Sequence, residues 1–355
     1  MDLIPDLPND IVRDCLIRLP YKQFPAISSV CKGWRLELQL PEFFRRRKAT
    51  SHSQNLFVMS QARVDPNRKP GAAKRYTTPV YRVTVLEPET GEWCELPPAP
   101  GLSNGFPLFC QFAAVGLDVV VMGGLDPETW ETSNSVFIFN FASAKWRRGA
   151  DMPGVRRLLF GCASDLDGTV YVAGGHDGDK NALRSAMKYD VAEDRWSFLP
   201  DMARERDECK AIFQRGKLQV IGGYRTDRQG QFEGDAEAFD VSTWQWDAVH
   251  DTFLKAGTCP RSCVGSGEEL YMCCGDDVVS QKGSTWQSVG KVPAEVCNVA
   301  YVESWKEDKV VVIGCARFGE GHKTFVFDLK SLRWTEVKED DEFSGHVQAG
   351  CHMEI

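Results

Sequence analysis

The chain has 355 residues, room for one large domain and something small beside it. Its 43% hydrophobic and 26% charged content is ordinary for a globular protein. No apolar run approaches the roughly 20 residues that span a bilayer, the opening MDLIPDLPND lacks the basic start and apolar run of a secretory signal, and a net charge of −8 argues against a general nucleic-acid binder.

The first segment follows a helical rule. Within LPNDIVRDCLIRLP, the residues Ile11, Val12, Cys15, Leu16 and Leu19 recur at helical spacing, with Asn9 or Asp10 available as a cap and Pro20 as a stop. A second helical pattern sets Phe24, Ile27, Val30, Cys31, Trp34 and Leu38 on a common side, and PEFFRRRK makes a last turn or short helix. Isolated domains below about 40 residues usually need disulfides, a metal or a partner, so these apolar residues have to be covered by the rest of the chain or by another protein. Basic residues cluster at Arg45-Arg46-Arg47-Lys48 and at Arg68-Lys69 with Lys74-Arg75, read as a solvated helix end and a solvated loop in preference to a nuclear-import signal.

These residues resemble the F-box. The matching positions are Leu7, Pro8, Ile11, Leu16, Leu19, Pro20, Val30, Cys31, Trp34 and Arg35. The resemblance implies an F-box over 1–48, a linker over 49–53 and a second domain over 54–355. It further implies binding to the Skp adaptor, and through it to cullin, a RING protein and a ubiquitin-charged conjugating enzyme. An amphipathic helical pair offers an apolar face to partner helices. The expected adaptor contacts are Leu7, Pro8, Ile11, Val12, Leu16, Leu19, Pro20, Val30 and Trp34, with Trp34 also holding the helices together.

Beyond residue 54 the rule changes to short strands. The unit from Leu158 to Pro200 reads LLFGCASDLDG, TVYVAGG, a polar loop HDGDKNALRS, then AMKYDVAEDRWSFLP. Asp-Gly and Gly-Gly punctuate three apolar or alternating runs, and Trp196 opens a fourth, so the unit predicts a four-stranded antiparallel sheet. Double glycines recur at Gly123, Gly174 and Gly222, and tryptophans in like surroundings stand at Trp93, Trp146, Trp196, Trp246, Trp286 and Trp334. A period of about 50 with this double register resembles the kelch repeat of β-propellers.

The expected fold is therefore a small all-α amino-terminal F-box followed by an all-β six-bladed kelch propeller. Blade one begins at Asn55 and has no inner strand of its own; VQAGCHMEI at the carboxyl terminus looks like one, so Gly350 to Ile355 are expected to pair with blade one and close the ring. Blade five has Cys274-Gly275 in place of two glycines and only twelve residues from there to Trp286, which predicts a very short or irregular third strand. Cysteines at 110, 162, 209, 263 and 297 hold similar places in successive units and read as small packed side chains. The 13 cysteines are not expected to form disulfides or, without a completed zinc spacing around Cys259, Cys263, Cys273 and Cys274, a metal site.

Loops after the glycines and after the tryptophan strands are expected on one face, where rigid blades present variable side chains for binding. Arg157, Arg206 and Arg261 recur just ahead of inner strands and are candidates to ring the channel mouth and hold a carboxylate in a fork, or else to close local ion pairs. His176, Trp130, Tyr224, Arg225 and Phe318 are further candidate contacts. GxSxG, a P-loop and HExxH are absent, so no catalytic residue, metal or cofactor is expected.

F-box and kelch units together resemble the plant kelch-repeat F-box proteins across essentially the whole chain. MDLIPDLPNDI and RRRKATSHSQ resemble a compact subgroup associated with turnover of phenylalanine ammonia-lyase and of type-B cytokinin response regulators. The resemblance implies a non-catalytic substrate receptor of a ubiquitin ligase, acting in cytoplasm or nucleus on a phenylpropanoid or flavonoid enzyme or a response regulator. The competing readings are a metal-dependent kelch oxidase and a scaffold that binds no adaptor.

Overall fold

Helical periodicity in the first segment produces α1 (Asn9–Leu16), α2 (Phe24–Val30), α3 (Lys32–Glu37) and α4 (Pro41–Ala49) in a computed structural model that describes residues 3–64, 78–102, 104–283 and 285–355. The basic positions Arg68, Lys69, Lys74 and Arg75 lie outside the described residues. Two local details differ from expectation. Pro8, not Asn9 or Asp10, occupies the cap of α1, because the Asn9 side chain instead accepts the Leu3 N–H at 2.8 Å. The second helical pattern is broken at Cys31, which is extended (φ −159°, ψ 168°) and whose sulfur accepts the Trp34 N–H at the start of α3.

The remaining described strands form six four-stranded sheets, so the six-bladed count holds. Blade two shows the pattern: Gln111–Val115, Asp118–Met122, Val136–Asn140 and Lys145–Gly149 pair in order, all antiparallel. Each inner strand lies against the next blade's inner strand around the ring. Blade one takes its inner strand from the carboxyl terminus, as expected: Val347–Glu354 pairs antiparallel with Asn55–Ala62, from Asn55↔Glu354 through Met59↔Gly350.

The double glycines are required by geometry. Gly174 and Gly175 have φ of 68° and 82°, and side chains there would run into the carbonyls of Arg206 and Leu158. The tryptophans seam the blades together. Trp146, Trp196, Trp246, Trp286 and Trp334 each donate an indole N–H to a carbonyl of the preceding blade, those of Pro97, Ala150, Pro200, Phe253 and Lys291, at 2.6–2.9 Å. At the closing seam Trp93 instead stacks on Phe343 of the connection leaving blade six, with centroids 5.4 Å apart.

Blade five corrects one expectation. Its third strand is neither short nor irregular along most of its length: Asp277–Lys282 pairs with Glu269–Cys274 and, with one register shift at Val278/Val279, with Thr285–Lys291. What is missing is the loop. Gly275-Asp276 turns directly between Cys274 and Asp277, with Gly275 at φ 59°. All 13 cysteines are free; of the five repeat-register ones, Cys110, Cys209 and Cys263 are buried and Cys162 half-buried, but Cys297 is exposed.

The helices pack beneath blades one and two. Val12, Leu16, Ile17, Tyr21, Phe24, Ile27, Leu38 and Phe43 join one core with Leu56, Phe139, Phe141, Ala142 and Ile355. Polar ties support the apolar contact: Ser28 Oγ donates to the Ala142 carbonyl at 2.7 Å, Lys48 pairs with Glu354 at 2.8 Å, and Gln54 and Ile355 exchange backbone hydrogen bonds. These contacts fall on the turns that join inner to second and third to outer strands, the face opposite the long loops.

Candidate functional surfaces

Connections after the double glycines and connections entering each inner strand meet on one face, as expected. In blades two, three and four they are laced by short backbone ladders: Leu108 with Leu125, Leu158 with His176, and Asp207 with Tyr224, each a reciprocal pair at 2.7–3.0 Å. The ladders consume the backbone of the loop bases and leave the loop tips to project.

The recurring arginines do not behave alike. Arg157 and Arg206 are each only 1% exposed and cannot contact a target as folded, which corrects their assignment to the binding surface. Arg157 donates to the Gly174 carbonyl at 3.0 Å and to the carbonyl and hydroxyl of Ser185 at 3.1 and 2.9 Å. Arg206 donates to the Gly222 carbonyl at 2.8 Å and pairs with Asp235 at 2.5 Å and Glu237 at 3.0 Å. Each guanidinium thus staples its own blade's glycine turn to the third strand. The pull that directs them inward is these carbonyls and carboxylates, against the loss of water that holds the Arg157 pKa down at about 10. Arg261 stands one position nearer its strand than Arg157 and Arg206 do, with buried Pro260 in their place; it is exposed and its side chain has no hydrogen bond or ion pair among the described residues.

Of the other candidates, Trp130 (58%) and Phe318 (84%) are exposed. His176, Tyr224 and Arg225 are half-buried: His176 Nδ1 sits 2.7 Å from the Asp177 carbonyl, Tyr224 donates to Glu208 at 3.0 Å, and Arg225 lies 4.0 Å from Glu233. The structure spreads these residues over blades two to six and does not gather them into one pocket. An open depression of about 470 Å3 between blades three and four brings Arg225 together with Arg184, Ala203, Arg204, Glu205 and Asp227. Sequence reasoning missed Arg184, Arg204 and Asp227; the only signal was that they sit in the same variable loops.

At the channel mouth the Tyr81 hydroxyl and His346 Nδ1 lie 3.0 Å apart, and His322 meets the His346 ring edge-on at 5.2 Å. Partial removal from water and then the neighbouring His346 hold His322 low, at about 4. Among the described residues no group of three His, Cys, Asp or Glu side chains could hold a metal ion, and no helix is long and apolar enough to cross a membrane.

On the opposite side, the helices divide their apolar residues between two directions. Val12 and Leu16 are 1% and 2% exposed and belong to the core against the propeller, which removes them from the expected adaptor contacts. Ile11 (46%), Val30 (60%), Leu36 (50%) and Leu40 (42%) face solvent, Pro8 and Pro20 are exposed, and Leu7, Leu19 and Trp34 are half-buried. Leu36 and Leu40 were not among the expected contacts, because only the kink at Cys31 turns them outward. The Trp34 indole donates to the Leu3 carbonyl at 2.8 Å and Arg13 pairs with Glu37 at 2.8 Å, so α3 is tied both to the leading arm and to α1. The basic run is spent locally: Arg45 and Arg46 pair with Glu42, and buried Arg47 donates to the carbonyls of Ile17 and Leu19 at 2.6 Å.

Comparison with known proteins places these two surfaces in context. Residues 4–46 match the F-box domain, and residues 108–153 and 157–203 match the kelch motif. The chain is 54% identical to the F-box/kelch-repeat protein At1g15670 of Arabidopsis thaliana and 52% identical to At1g80440 of the same plant, covering 100% of both chains in each case. It is 32% identical to the Arabidopsis F-box/kelch-repeat protein SKIP20 over 73% of this chain and 69% of that one.

Proposed function

The chain belongs to the F-box/kelch-repeat proteins, and from that premise we propose that it is the substrate-recognition subunit of a Skp–cullin–F-box ubiquitin ligase. The observation that carries this reading is the division of the helical segment's apolar residues. One half is sealed against the propeller; the other half, Ile11, Val30, Leu36 and Leu40, is left open beside Pro8. An apolar face of that kind on short helices fits partner helices, here those of the Skp adaptor, with cullin recruited through it. Interfaces of this class bury roughly 800 Å2 per partner and depend on a few central residues.

The propeller's long loops lie on the other side, so an adaptor on the helices leaves them free for a protein target. The receptor performs no chemistry. It holds target lysines near the charged conjugating enzyme and raises their effective concentration. Following the family resemblance, phenylalanine ammonia-lyase, another phenylpropanoid or flavonoid enzyme, and type-B response regulators are the targets to test first.

The test is capture of the adaptor by the full chain. Wild type retains it and the Leu7→Ala/Pro8→Ala variant loses it while its circular dichroism shows the chain still folded. Retention by that variant at wild-type yield counts against the reading. Mass spectrometry of proteins captured under proteasome inhibition then identifies the target.

A further inference from the structure

The chain has ten tryptophans, and nine are engaged within it. Six serve the blade seams, Trp34 donates to the Leu3 carbonyl, Trp244 meets the Phe239 ring and Trp305 meets the Phe57 ring. Trp130 is the tenth. It is 58% exposed, and its indole has no hydrogen bond and no aromatic or cationic neighbour among the described residues.

The turn that carries Trp130 does not require an indole. It lies at the tip of the loop after the glycines of blade two, left-handed at φ 59°, and its backbone N–H donates to the Asp126 carbonyl at 3.0 Å. Blade three repeats this turn with Lys180 at φ 61°, donating to the Asp177 carbonyl at 3.1 Å. In both loops the aspartate carboxylate accepts backbone N–H groups of the turn that it opens. Lysine fills the same place, and the left-handed region favours neither residue, so folding gives no reason for a tryptophan there.

Two more large apolar side chains continue the surface along the seam between blades two and three. Val155 is 54% and Phe198 61% exposed. The Phe198 ring lies over Gly154, 3.7 Å from where a Cβ would stand. Arg156 joins this shelf to the Trp130 loop, donating to the Thr132 carbonyl at 3.3 Å and lying 4.0 Å from Glu131. The loop itself carries charge of one sign: LDPETWETSN holds Asp126, Glu128 and Glu131 and no lysine or arginine. Asp126 is spent on its own turn and Glu128 accepts from Asn104, but the Glu131 side chain is 74% exposed, with Arg156 only skimming it. An exposed indole face beside a carboxylate attracts a lysine or arginine side chain through the ring quadrupole and through charge. The net charge of −8 favours the approach of a basic partner in the same sense.

Resting on the receptor reading above, we propose that the target docks on the arc from Trp130 to Phe198 through a basic segment. That segment sets a lysine or arginine over Trp130 beside Glu131, and an apolar side chain on Val155 and Phe198. Aromatic anchors dominate protein interfaces, and Trp130 supplies one on a hydrogen-bonded loop tip, so little order is lost on docking.

The experiment is an array of decamers of randomised composition probed with the full chain bound to adaptor. Wild type is compared with Trp130→Lys, Trp130→Phe, Glu131→Gln and, as an exposed aromatic outside the arc, Phe318→Ala. Wild type and Phe318→Ala should enrich spots that place Lys or Arg close to Leu, Ile or Phe. Trp130→Lys, which keeps the turn as Lys180 does, should lose about tenfold or more of that signal at an unchanged melting temperature, while Trp130→Phe and Glu131→Gln retain part of it. Basic spots bound equally by Trp130→Lys, a clear fall in its melting temperature, enrichment of acidic or uncharged spots, or no specific spots with wild type each overturn the docking arc and leave the receptor reading intact. A dimer in sedimentation that Trp130→Lys abolishes overturns it too, since another copy of the chain then covers the arc. Failure of the same preparation to hold adaptor is the separate result that strikes the receptor reading.

Discussion

His352 Nε2 lies 3.0 Å from Asn55 Oδ1, joining the last strand to the first strand of the propeller by a side-chain hydrogen bond as well as by the backbone ladder. The imidazole is half-buried, packed at 5.0 Å on Phe57, and its loss of solvent holds its pKa at about 4 against an ordinary 6.5. A depressed histidine contributes stability that is fully present above the unfolded pKa and disappears as the pH falls through the folded one. The melting temperature of the propeller should therefore drop between about pH 6.5 and pH 4, with His352 contributing up to about 3 kcal/mol of the change. His322, also held at about 4, adds in the same direction. His352→Gln keeps a donor for Asn55 and cannot titrate, so its melting curve against pH should be shallower in this window; an unchanged slope would remove His352 from the account.

The staple arginines predict a graded stability series. Arg206 neutralises two buried carboxylates, Asp235 and Glu237, 3% and 0% exposed at the side chain. Removing one partner of such a cluster leaves uncompensated charge in the interior and costs about 3–5 kcal/mol. Arg157 is bonded only to neutral carbonyls and a hydroxyl, so its loss strands weaker groups, about 1–3 kcal/mol. Arg261→Ala should lie within about 0.5 kcal/mol of wild type. Urea unfolding of the three alanine variants checks the order, and an Arg261→Ala as damaging as Arg206→Ala would show that its side chain is engaged.

This series also marks where the sequence was legible. The ring could be read because its signals are backbone necessities: a left-handed turn at Gly174-Gly175 and an indole at Trp196 that must reach the previous blade. Arg157 and Arg206 lie four residues before their inner strands and Arg261 only three, a slip easily passed over in the sequence, and the direction of the first two is decided by Gly174, Gly222 and Asp235, residues brought near only by folding. Helical periodicity in α1 likewise identified an apolar side without saying how it is shared. Val12 and Ile11 are neighbours in the same pattern, yet one meets the propeller and the other meets water. The blade-five strand was misjudged because a deleted loop and a deleted strand shorten the chain equally.

Ring closure is open to a single-atom test. A Cβ placed on Gly345 would overlap the carbonyl oxygen of Ala62, a backbone group that cannot move without disturbing the closing pair Gln61↔Val347. Gly345→Ala should cost about 1–3 kcal/mol and lower the thermal midpoint followed by circular dichroism. Gly178→Ala, where a Cβ meets nothing, is the control expected within about 0.5 kcal/mol of wild type. Removing residues 350–355, which deletes the pairing from Met59 back to Asn55, should be more severe than either; a truncated chain melting like wild type would mean that the ring does not depend on its last strand.

The helical segment gives the sharpest separation between folding and binding, because adjacent residues of α1 have opposite duties. Val12 is 1% exposed in the core shared with the propeller, and Ile11 is 46% exposed. Replacing Val12 by Ser buries a hydroxyl without a partner and removes packed methyl groups, for a loss of about 1–3 kcal/mol, while leaving the outward face in place. Ile11→Ser and Val30→Ser change residues that stand largely in solvent, 46% and 60% exposed, outside the core shared with the propeller, so their melting temperatures should stay close to wild type. If the adaptor covers that face, each removes part of a central apolar contact, and such residues cost more than about 1 kcal/mol on truncation, a fivefold or greater weakening. Calorimetric titration with purified adaptor measures the affinities directly. Full affinity in the Ile11→Ser/Val30→Ser double variant, with loss only when Val12→Ser unfolds the segment, would mean that the exposed half of the helices is not the adaptor's surface.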